Sequence, residues 1–186
     1  MQNDTLRLIA ARRSHRAYKP EQLTEEQLTA IMDAALASPS GNNRQPWHFT
    51  VVQDQALLDR VNRAAFEAAM ARAPETRSPR FAQPTFHVFY HAPTVVFLSA
   101  AKESPWEVVD CGIAVQNIAI AAESLGLGSV ILGLPREAFS GKDRGELEKA
   151  LKFPEGYSFV ISIAVGTPDD DKAAHEPKPG LIDYIR

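Results

Sequence analysis

The chain has 186 residues, of which 45% are hydrophobic and 23% charged, and its formal net charge is -3. This composition is typical of a globular protein and excludes a disordered or collagen-like chain, while the mild acidity argues against a nucleic-acid partner. The single cysteine, Cys111, permits no internal disulfide, and no apolar run reaches the length of a membrane span. We therefore expect one cytoplasmic domain over 1–186, with no membrane partner.

Two helices are predicted near the start of the chain. A polar residue among 3–5 can cap a first amphipathic helix, which has ended by Pro20. Thr24 and Gln27 have the spacing of a capping box, and the apolar residues that follow recur with helical periodicity until Pro39. The sequence thus begins with two short helices before any strand.

Strands and helices then interleave unevenly, which favours a mixed α/β or α+β sandwich over a regular doubly wound fold. The helix over Trp106–Leu125 is apolar over much of its surface, so it is predicted to be buried, either centrally or at a subunit interface. The predicted strands are His48–Gln53, Thr94–Ala100, Ser129–Leu132 and Ser158–Gly166, and the other helices are Gln55–Ala73 and Lys142–Leu151.

Two proline-rich stretches are predicted to lie outside these elements. Pro74–Pro84 contains three prolines with Arg77 and Arg80, which indicates a loop. The tail, 167–186, is polar at first and apolar only near its end, at 181–185. Such a tail needs a docking site, for which a partner subunit is one candidate.

A basic cluster follows the first helix. Arg12, Arg13 and Arg16 surround Ser14 within five residues, and guanidinium forks with a hydroxyl match the oxygens of a phosphate. The alternative is a basic helix end that faces solvent and complements the helix dipole.

A polar turn occupies Ser38–Trp47. Its amides and exposed backbone N–H groups could bind the edge of a planar heterocycle or a sugar chain. The alternative is a turn whose Asn and Ser side chains cap their own backbone.

The glycine-containing stretch 126–133 is not a dinucleotide-binding fingerprint. Ile131 stands where a small residue is needed, and the helix precedes the strand rather than following it. Its glycines are predicted to end the helix and to allow a close backbone approach.

Other polar residues give weaker signals. The five histidines show no metal-ligand spacing, although His87 and His91 lie four residues apart, and His175 lies in the tail. Cys111, within the apolar helix, is interpreted as a small core residue rather than a nucleophile.

Taken in order, these segments resemble the FMN-dependent nitroreductase family. The resemblance is carried by RRSHRAY (12–18), SPSGNNRQPWHFTVV (38–52), HAPTVVFLSA (91–100), DCGIAVQNIAIAAESLGLGSVILG (110–133) and ISIAVGTPDD (161–170), with Lys178 and Pro179 in the tail. It covers nearly the whole chain. It favours the phosphate-binding interpretation of the basic cluster and the ligand-binding interpretation of the polar turn over their structural alternatives.

The resemblance implies an α+β (mixed α/β) nitroreductase-like fold with a central mixed sheet flanked by helices. It implies an obligate homodimer with exchanged termini, in which the 167–186 tail docks on the partner and the variable 74–91 loop lies near the active site. FMN would be the bound cofactor, held at the subunit interface.

The resemblance also implies the residues of the site. Arg12, Ser14 and Arg16, with the adjacent Arg13, would bind the ribityl phosphate. The other implied cofactor-binding residues are Ser40, Gly41, Asn42 and Asn43 along the flavin and ribityl chain from the other subunit, Ile131, Leu132 and Gly133 beside the isoalloxazine ring, and Lys178 near the phosphate. Many members carry an arginine soon after that lysine, where this chain has Pro179 and Gly180.

The implied activity is an oxidoreductase that takes hydride from NAD(P)H and reduces an electron-poor small molecule, such as a nitroaromatic or quinone, by a ping-pong mechanism. No side chain is assigned as catalytic, because the flavin carries the chemistry. The alternatives are a flavin-fragmenting or dehalogenating enzyme on the same fold, or a flavin-binding module without turnover. A non-flavin domain that binds nucleic acid through 12–16 is disfavoured by the net charge.

Overall fold

The computed structural model describes residues 3–101, 103, 105–174 and 176–186. Its helices are α1 (Asp4–Ala11), α2 (Glu25–Leu36), α3 (Gln55–Met70), α4 (Trp106–Ser124) and α5 (Arg144–Ala150). Its strands are β1 (Trp47–Val52), β2 (Thr94–Ala101), β3 (Gly128–Leu132) and β4 (Tyr157–Gly166). Every helix and strand that the sequence predicts is present, with bounds that differ by one to three residues.

The four strands form one sheet in the order β1-β2-β4-β3. All three pairings are antiparallel, and the parallel pairing in the described residues is an isolated bridge from Ser14 to Ser129 on the outer side of β3. The predicted α+β class is therefore confirmed. The mixed sheet that the resemblance implies is corrected for the single chain, because every ladder between its described strands is antiparallel. β1 and β3 are its two edges.

Helices cover both faces of the sheet because β2 and β4 are apolar on both sides. On β2, Val95 and Phe97 pack in the cluster that includes α3 and α5, whereas Val96 and Leu98 pack in the cluster that includes α2 and α4. Successive side chains of a strand point to opposite faces, so a continuous apolar run serves both layers.

The ends of two helices show why they form where the sequence predicts. Thr24 and Gln27 complete the capping box at the start of α2, each side chain accepting the other residue's backbone N–H. At the end of α4, Gly126 has φ 71° and Leu127 donates its N–H back to Ala122 O at 2.9 Å. This is a Schellman ending, which needs a residue free to adopt left-handed backbone angles.

One side of α4 is buried and the other is exposed and apolar. Cys111, Ala114 and Ile118 are fully buried, yet Trp106 is 67% and Val108 61% exposed. An exposed apolar stripe on a long helix is typical of an association surface. The buried side confirms the central position that the sequence predicts, and the other side is an exposed apolar surface of the single chain.

The segment 74–91 is only partly a surface loop. It contains two turns of 3-10 helix, Pro74–Thr76 and Pro79–Ala82, and Phe81, Val88 and Phe89 are buried in the core beside α3. An apolar stretch of 3-10 helix, Leu134–Ser140, packs on the same side and was not predicted. No helix in the described residues is both long and apolar enough to cross a lipid bilayer.

Candidate functional site

The basic cluster forms an extended arm that leaves α1 and runs beside β3. Arg12 caps α1 with extended backbone angles, and His15 N–H donates to Ser129 O at 3.0 Å. A Cβ on Gly128 would come within 2.9 Å of the His15 ring. The glycine is therefore needed for the close approach of arm and strand.

Asp170, in the stretch that follows β4, fixes the arm from its other side. Its carboxylate accepts from Arg16 N–H at 2.9 Å and lies 2.6 Å from His15 Nδ1 and 3.2 Å from Lys172 Nζ. Burial raises the pKa of Asp170, but the hydrogen bonds from Arg16, His15 and Lys172 outweigh it, so the net pKa lies below its ordinary value. The carboxylate is consequently ionised at neutral pH and holds the arm in place.

The arm's guanidinium groups have no carboxylate partners among the described residues. Arg13 Nη1 donates to Ala10 O at 2.7 Å, and its Nε is buried without a hydrogen-bond partner in the described part of the chain. Arg16 Nη1 donates to Ser14 O at 3.2 Å, and no other acceptor for its guanidinium is found in the described part of the chain. Arginines are usually paired when a carboxylate is near, so the arm is an unneutralised cationic surface suited to an anion.

The polar turn before β1 is a short piece of 3-10 helix, Gly41–Asn43. Gly41 N–H donates to the Asp110 carboxylate at 3.3 Å, which ties the turn to the first half of α4. Ser40 Oγ accepts Gln45 N–H at 2.9 Å, and both Asn42 and Asn43 have positive φ. The Ser40 hydroxyl thus bonds to the backbone of its own turn, as the capping interpretation has it. Asn42 and Asn43 are exposed, and Asn43 Oδ1 accepts from Gln45 Nε2 at 3.1 Å.

The segment 131–133 lies on the outer edge of the sheet. Because Ser129 O points outward to His15, backbone alternation turns the N–H groups of Ile131 and Gly133 to the same free side. Leu132 is buried, and its carbonyl accepts from Ser162 Oγ at 3.2 Å. A planar ligand lying along this edge would meet two backbone donors.

Within one chain, the arm and the turn are far apart. The turn is bound at Asp110 near the start of α4, whereas the arm pairs with β3, which follows the end of α4. A helix rises 1.5 Å per residue, so about 20 Å separates Asp110 from the end of α4. The structure therefore brings together the arm and the β3 edge, and leaves the turn at a distance.

Lys178 lies in the tail, where all of 176–186 is exposed. None of the described contacts joins it to the arm. The tail's apolar side chains are the most exposed in the chain, with Ile185 at 100%.

Cys111, His87 and His91, which the sequence does not assign to the site, lie where a structural role predicts. Cys111 is fully buried, and burial, with Asp110 and Glu107 nearby, raises the pKa of its thiol to about 12, so it is not a thiolate at neutral pH. His87 and His91 stack at 4.3 Å, but no group of His, Cys, Asp and Glu in the described residues could hold a metal ion. His175 lies outside the described residues.

Sequence reasoning missed the residues that position the site. His15 and Asp170 are 155 positions apart, so no local pattern could pair them. Tyr18, whose OH donates to His15 O at 2.8 Å, belongs to the same network, and its pKa is raised by burial and by the Asp170 carboxylate. In the sequence, His15, Tyr18 and Asp170 are visible only as members of the quoted motifs 12–18 and 161–170, and nothing there marks them as contacting one another.

Comparison with known proteins shows which proteins this chain is similar to. A model of the Nitroreductase family matches residues 9–167. A nitroreductase with bound FMN from Desulfitobacterium hafniense has a TM-score of 0.94 to this chain, with 35% identity and 100% of both chains covered.

Two curated relatives indicate a range of activities. The FMN reductase (NAD(P)H) of Bacillus subtilis is 30% identical, covering 95% of this chain and 70% of the relative. The iodotyrosine deiodinase of Thermotoga neapolitana is 26% identical, covering 95% of each. The resemblance found in the sequence is confirmed at the level of the family.

Proposed function

This chain belongs to the nitroreductase family, and from that premise we propose that it is an FMN-dependent oxidoreductase. It takes hydride from NADH or NADPH and reduces an electron-poor small molecule such as a nitroaromatic or a quinone. The bound FMN of the Desulfitobacterium structure and the name of the Bacillus relative support the cofactor and the reductant.

The observation that carries the proposal is the unneutralised arm. A phosphate dianion at Arg12, Ser14 and Arg16 would receive charge-assisted hydrogen bonds from groups that have no carboxylate partner in the described residues. The adjacent Arg13 differs from them, because its Nη1 already donates to Ala10 O at 2.7 Å and to Arg12 O at 2.9 Å. Asp170 orients this arm without neutralising it, because its bonds go to the Arg16 backbone N–H and to His15 and Lys172.

A homodimer supplies the rest of the site. Two copies of α4 packed antiparallel through their exposed apolar sides would place the Gly41–Asn43 turn of one protomer near the arm of the other. The arm and the turn of one site then come from different protomers, so their separation of about 20 Å within one chain no longer keeps them apart. Isologous pairing of one surface with itself gives two equivalent sites. The tail, with Lys178 and its exposed apolar end, docks on the partner in this proposal.

The chain's role in turnover is to bind and orient. When bound, FMN accepts hydride from the nicotinamide and passes reducing equivalents to the acceptor. The free edge at Ile131 and Gly133 offers backbone N–H donors to the flavin ring, and Leu132 anchors that edge in the core. We assign no side chain as an acid or base, and the two substrates use one face of the site in turn, in ping-pong order.

The Thermotoga relative favours a second candidate, reductive dehalogenation of a halogenated aromatic on the same fold. The two functions share the cofactor and differ in the acceptor. Turnover of 3-iodotyrosine with release of iodide, and none of nitroaromatics or quinones, would establish the second candidate over the first. Flavin binding with no oxidation of NADH or NADPH by any acceptor would instead establish a binding module.

The test of the phosphate assignment is the double variant Arg12→Ala with Arg16→Ala. It should lose bound FMN, seen as loss of flavin absorbance, while its circular dichroism stays that of the wild type. Arg7→Ala, on the exposed side of α1, is the control and should keep its flavin. Unchanged flavin content in the double variant refutes the assignment, and a colourless wild type that ignores added FMN refutes the function.

A further inference from the structure

Arg80 is a charged residue that the proposed site does not use, and its position is fixed by buried neighbours. It lies in the Pro79–Ala82 turn, where the next residue, Phe81, is buried and packs edge-on against Phe66 at 5.0 Å and Phe86 at 5.7 Å. Ser78 Oγ accepts the Arg80 backbone N–H at 3.4 Å. The backbone that carries this guanidinium is therefore anchored to the core.

Arg80 and Arg16 converge on one aromatic ring. Their Cζ atoms lie 5.8 Å and 6.0 Å from the centroid of Tyr90, so the two cations are at most about 12 Å apart. Neither forms an ion pair with a carboxylate in the described residues. A cation held over an aromatic face is attracted by the ring quadrupole and keeps its full charge.

Tyr90 adds a second, independent observation. Its hydroxyl oxygen is buried and has no hydrogen-bond partner in the described part of the chain. Its ring is held by Phe86 at 5.7 Å, and its backbone has φ 54°. Buried polar groups are normally satisfied, so the hydroxyl of the ring that both guanidiniums approach is available for a hydrogen bond with a polar ligand.

We propose that Arg80 is a further phosphate-binding residue, which acts with Arg16 across Tyr90 on the phosphate of FMN. The inference rests on the proposed function, because it takes the anion at Arg16 to be the cofactor phosphate. Two guanidiniums that each make bidentate bonds to one phosphate have Cζ atoms about 8 Å apart, which the limit set by Tyr90 allows. The segment 74–91 thereby contributes a residue to the cofactor site.

The same chemistry could come from a second source, the phosphate groups of the nicotinamide nucleotide. FMN is favoured because Arg16 belongs to the arm that we assign to the phosphate of the cofactor. The two sources differ in what depends on them, since the cofactor phosphate affects flavin affinity and the 2′-phosphate of NADPH affects only the KM for that reductant. The experiment separates them on this basis.

The test compares FMN with riboflavin, which lacks the phosphate. Full-length wild type, Arg80→Gln and Arg77→Gln, each freed of flavin by dialysis, are titrated with both flavins by fluorescence quenching. Arg77 lies in the same segment but contacts Met70 Sδ and is the matched control. Arg80→Gln should weaken FMN binding at least about tenfold and leave riboflavin binding unchanged, as expected for loss of a charge-assisted bond. Arg80→Lys should recover part of the loss.

Three results would overturn the inference. Unchanged FMN affinity in Arg80→Gln removes Arg80 from the site. Equal weakening of both flavins shows a structural effect rather than phosphate binding. Unchanged FMN affinity with a raised KM for NADPH and not for NADH transfers Arg80 to the nicotinamide phosphate. If the wild type itself binds neither flavin, the proposed function fails and not this inference alone.

Discussion

Two stretches of this chain, 74–91 and the tail, share one sequence signature, prolines among charged residues. They differ in how much of each is buried. The segment 74–91 packs Phe81, Val88 and Phe89 into the core. Its start is held by Arg72, just before it, which forms an ion pair with the buried Glu137 at 2.9 Å and donates to Thr76 O. The end of the tail, 176–186, is exposed throughout.

The difference lies in where the apolar residues stand. Aromatic residues are spread through 74–91 and meet Phe66 on α3, so the segment buries enough surface to offset the entropy of ordering it. In the tail the apolar residues come only at the end, beyond a polar stretch that leads away from the sheet. Prolines and charges therefore predict an irregular backbone, and the spacing of aromatic residues decides whether that backbone packs on its own chain.

The largest expected effect is at the centre of the packed segment. Phe89 is fully buried and meets Phe97 edge-on at 5.5 Å, so Phe89→Ala should lower the free energy of unfolding by about 3–5 kcal/mol. Urea denaturation followed by circular dichroism measures it. Thr85→Ala, exposed in the same segment, should stay within about 0.5 kcal/mol of wild type. A similar small loss for Phe89→Ala would mean that 74–91 is a surface excursion after all.

The tail should matter for association and little for folding. A variant that ends at Gly180 loses four exposed apolar side chains, and its dimer dissociation constant should rise at least about 100-fold, or about 2.7 kcal/mol. Light scattering at graded dilutions measures this, and circular dichroism should stay unchanged. Asp183→Asn is the control in the tail. Equal dimer affinities in the truncated and full-length chains would contradict docking of the tail on a partner.

The smallest effect is a pH dependence of stability within the packed segment. Burial lowers the pKa of His87, and the charge of His91 lowers it further, while Asp59 at 3.2 Å opposes them. The unfolded chain protonates this ring near its usual pKa of 6.5 and the folded chain only at lower pH. Protons therefore favour unfolding, and stability should fall as the pH falls below about 6.5, by at most about 1.4 kcal/mol per pH unit.

His87→Gln should reduce that slope, because the glutamine cannot be protonated, and His91→Gln should reduce it less. Thermal melts at several pH values between neutral and mildly acidic measure the slope. Thr85→Ala should keep the wild-type slope. A slope in His87→Gln as steep as that of the wild type would assign the pH dependence to other groups.

Much of the fold could be predicted because its signals are local. The Thr24–Gln27 capping box, the Gly126 ending of α4 and the apolar run of β2 each act within a few residues, and all are present in the structure. The stretch Leu134–Ser140 was missed because 3-10 helix has no strong periodicity to detect. The site was harder to predict, because the motif resemblance suggested the residues that bind the cofactor but not the residues that hold them in position.

The sequence by itself determined the α+β class, the order of elements, the inert character of Cys111 and the family resemblance. Only the tertiary structure decided that Asp170 holds His15 and Arg16, that Arg80 and Arg16 both lie over the Tyr90 ring, and that the Gly41–Asn43 turn lies far from the arm of its own chain. The physical reason is the distance along the chain over which each interaction acts. Capping and periodicity act between near neighbours in the chain, whereas charge placement and burial at the site depend on residues brought together by the sheet.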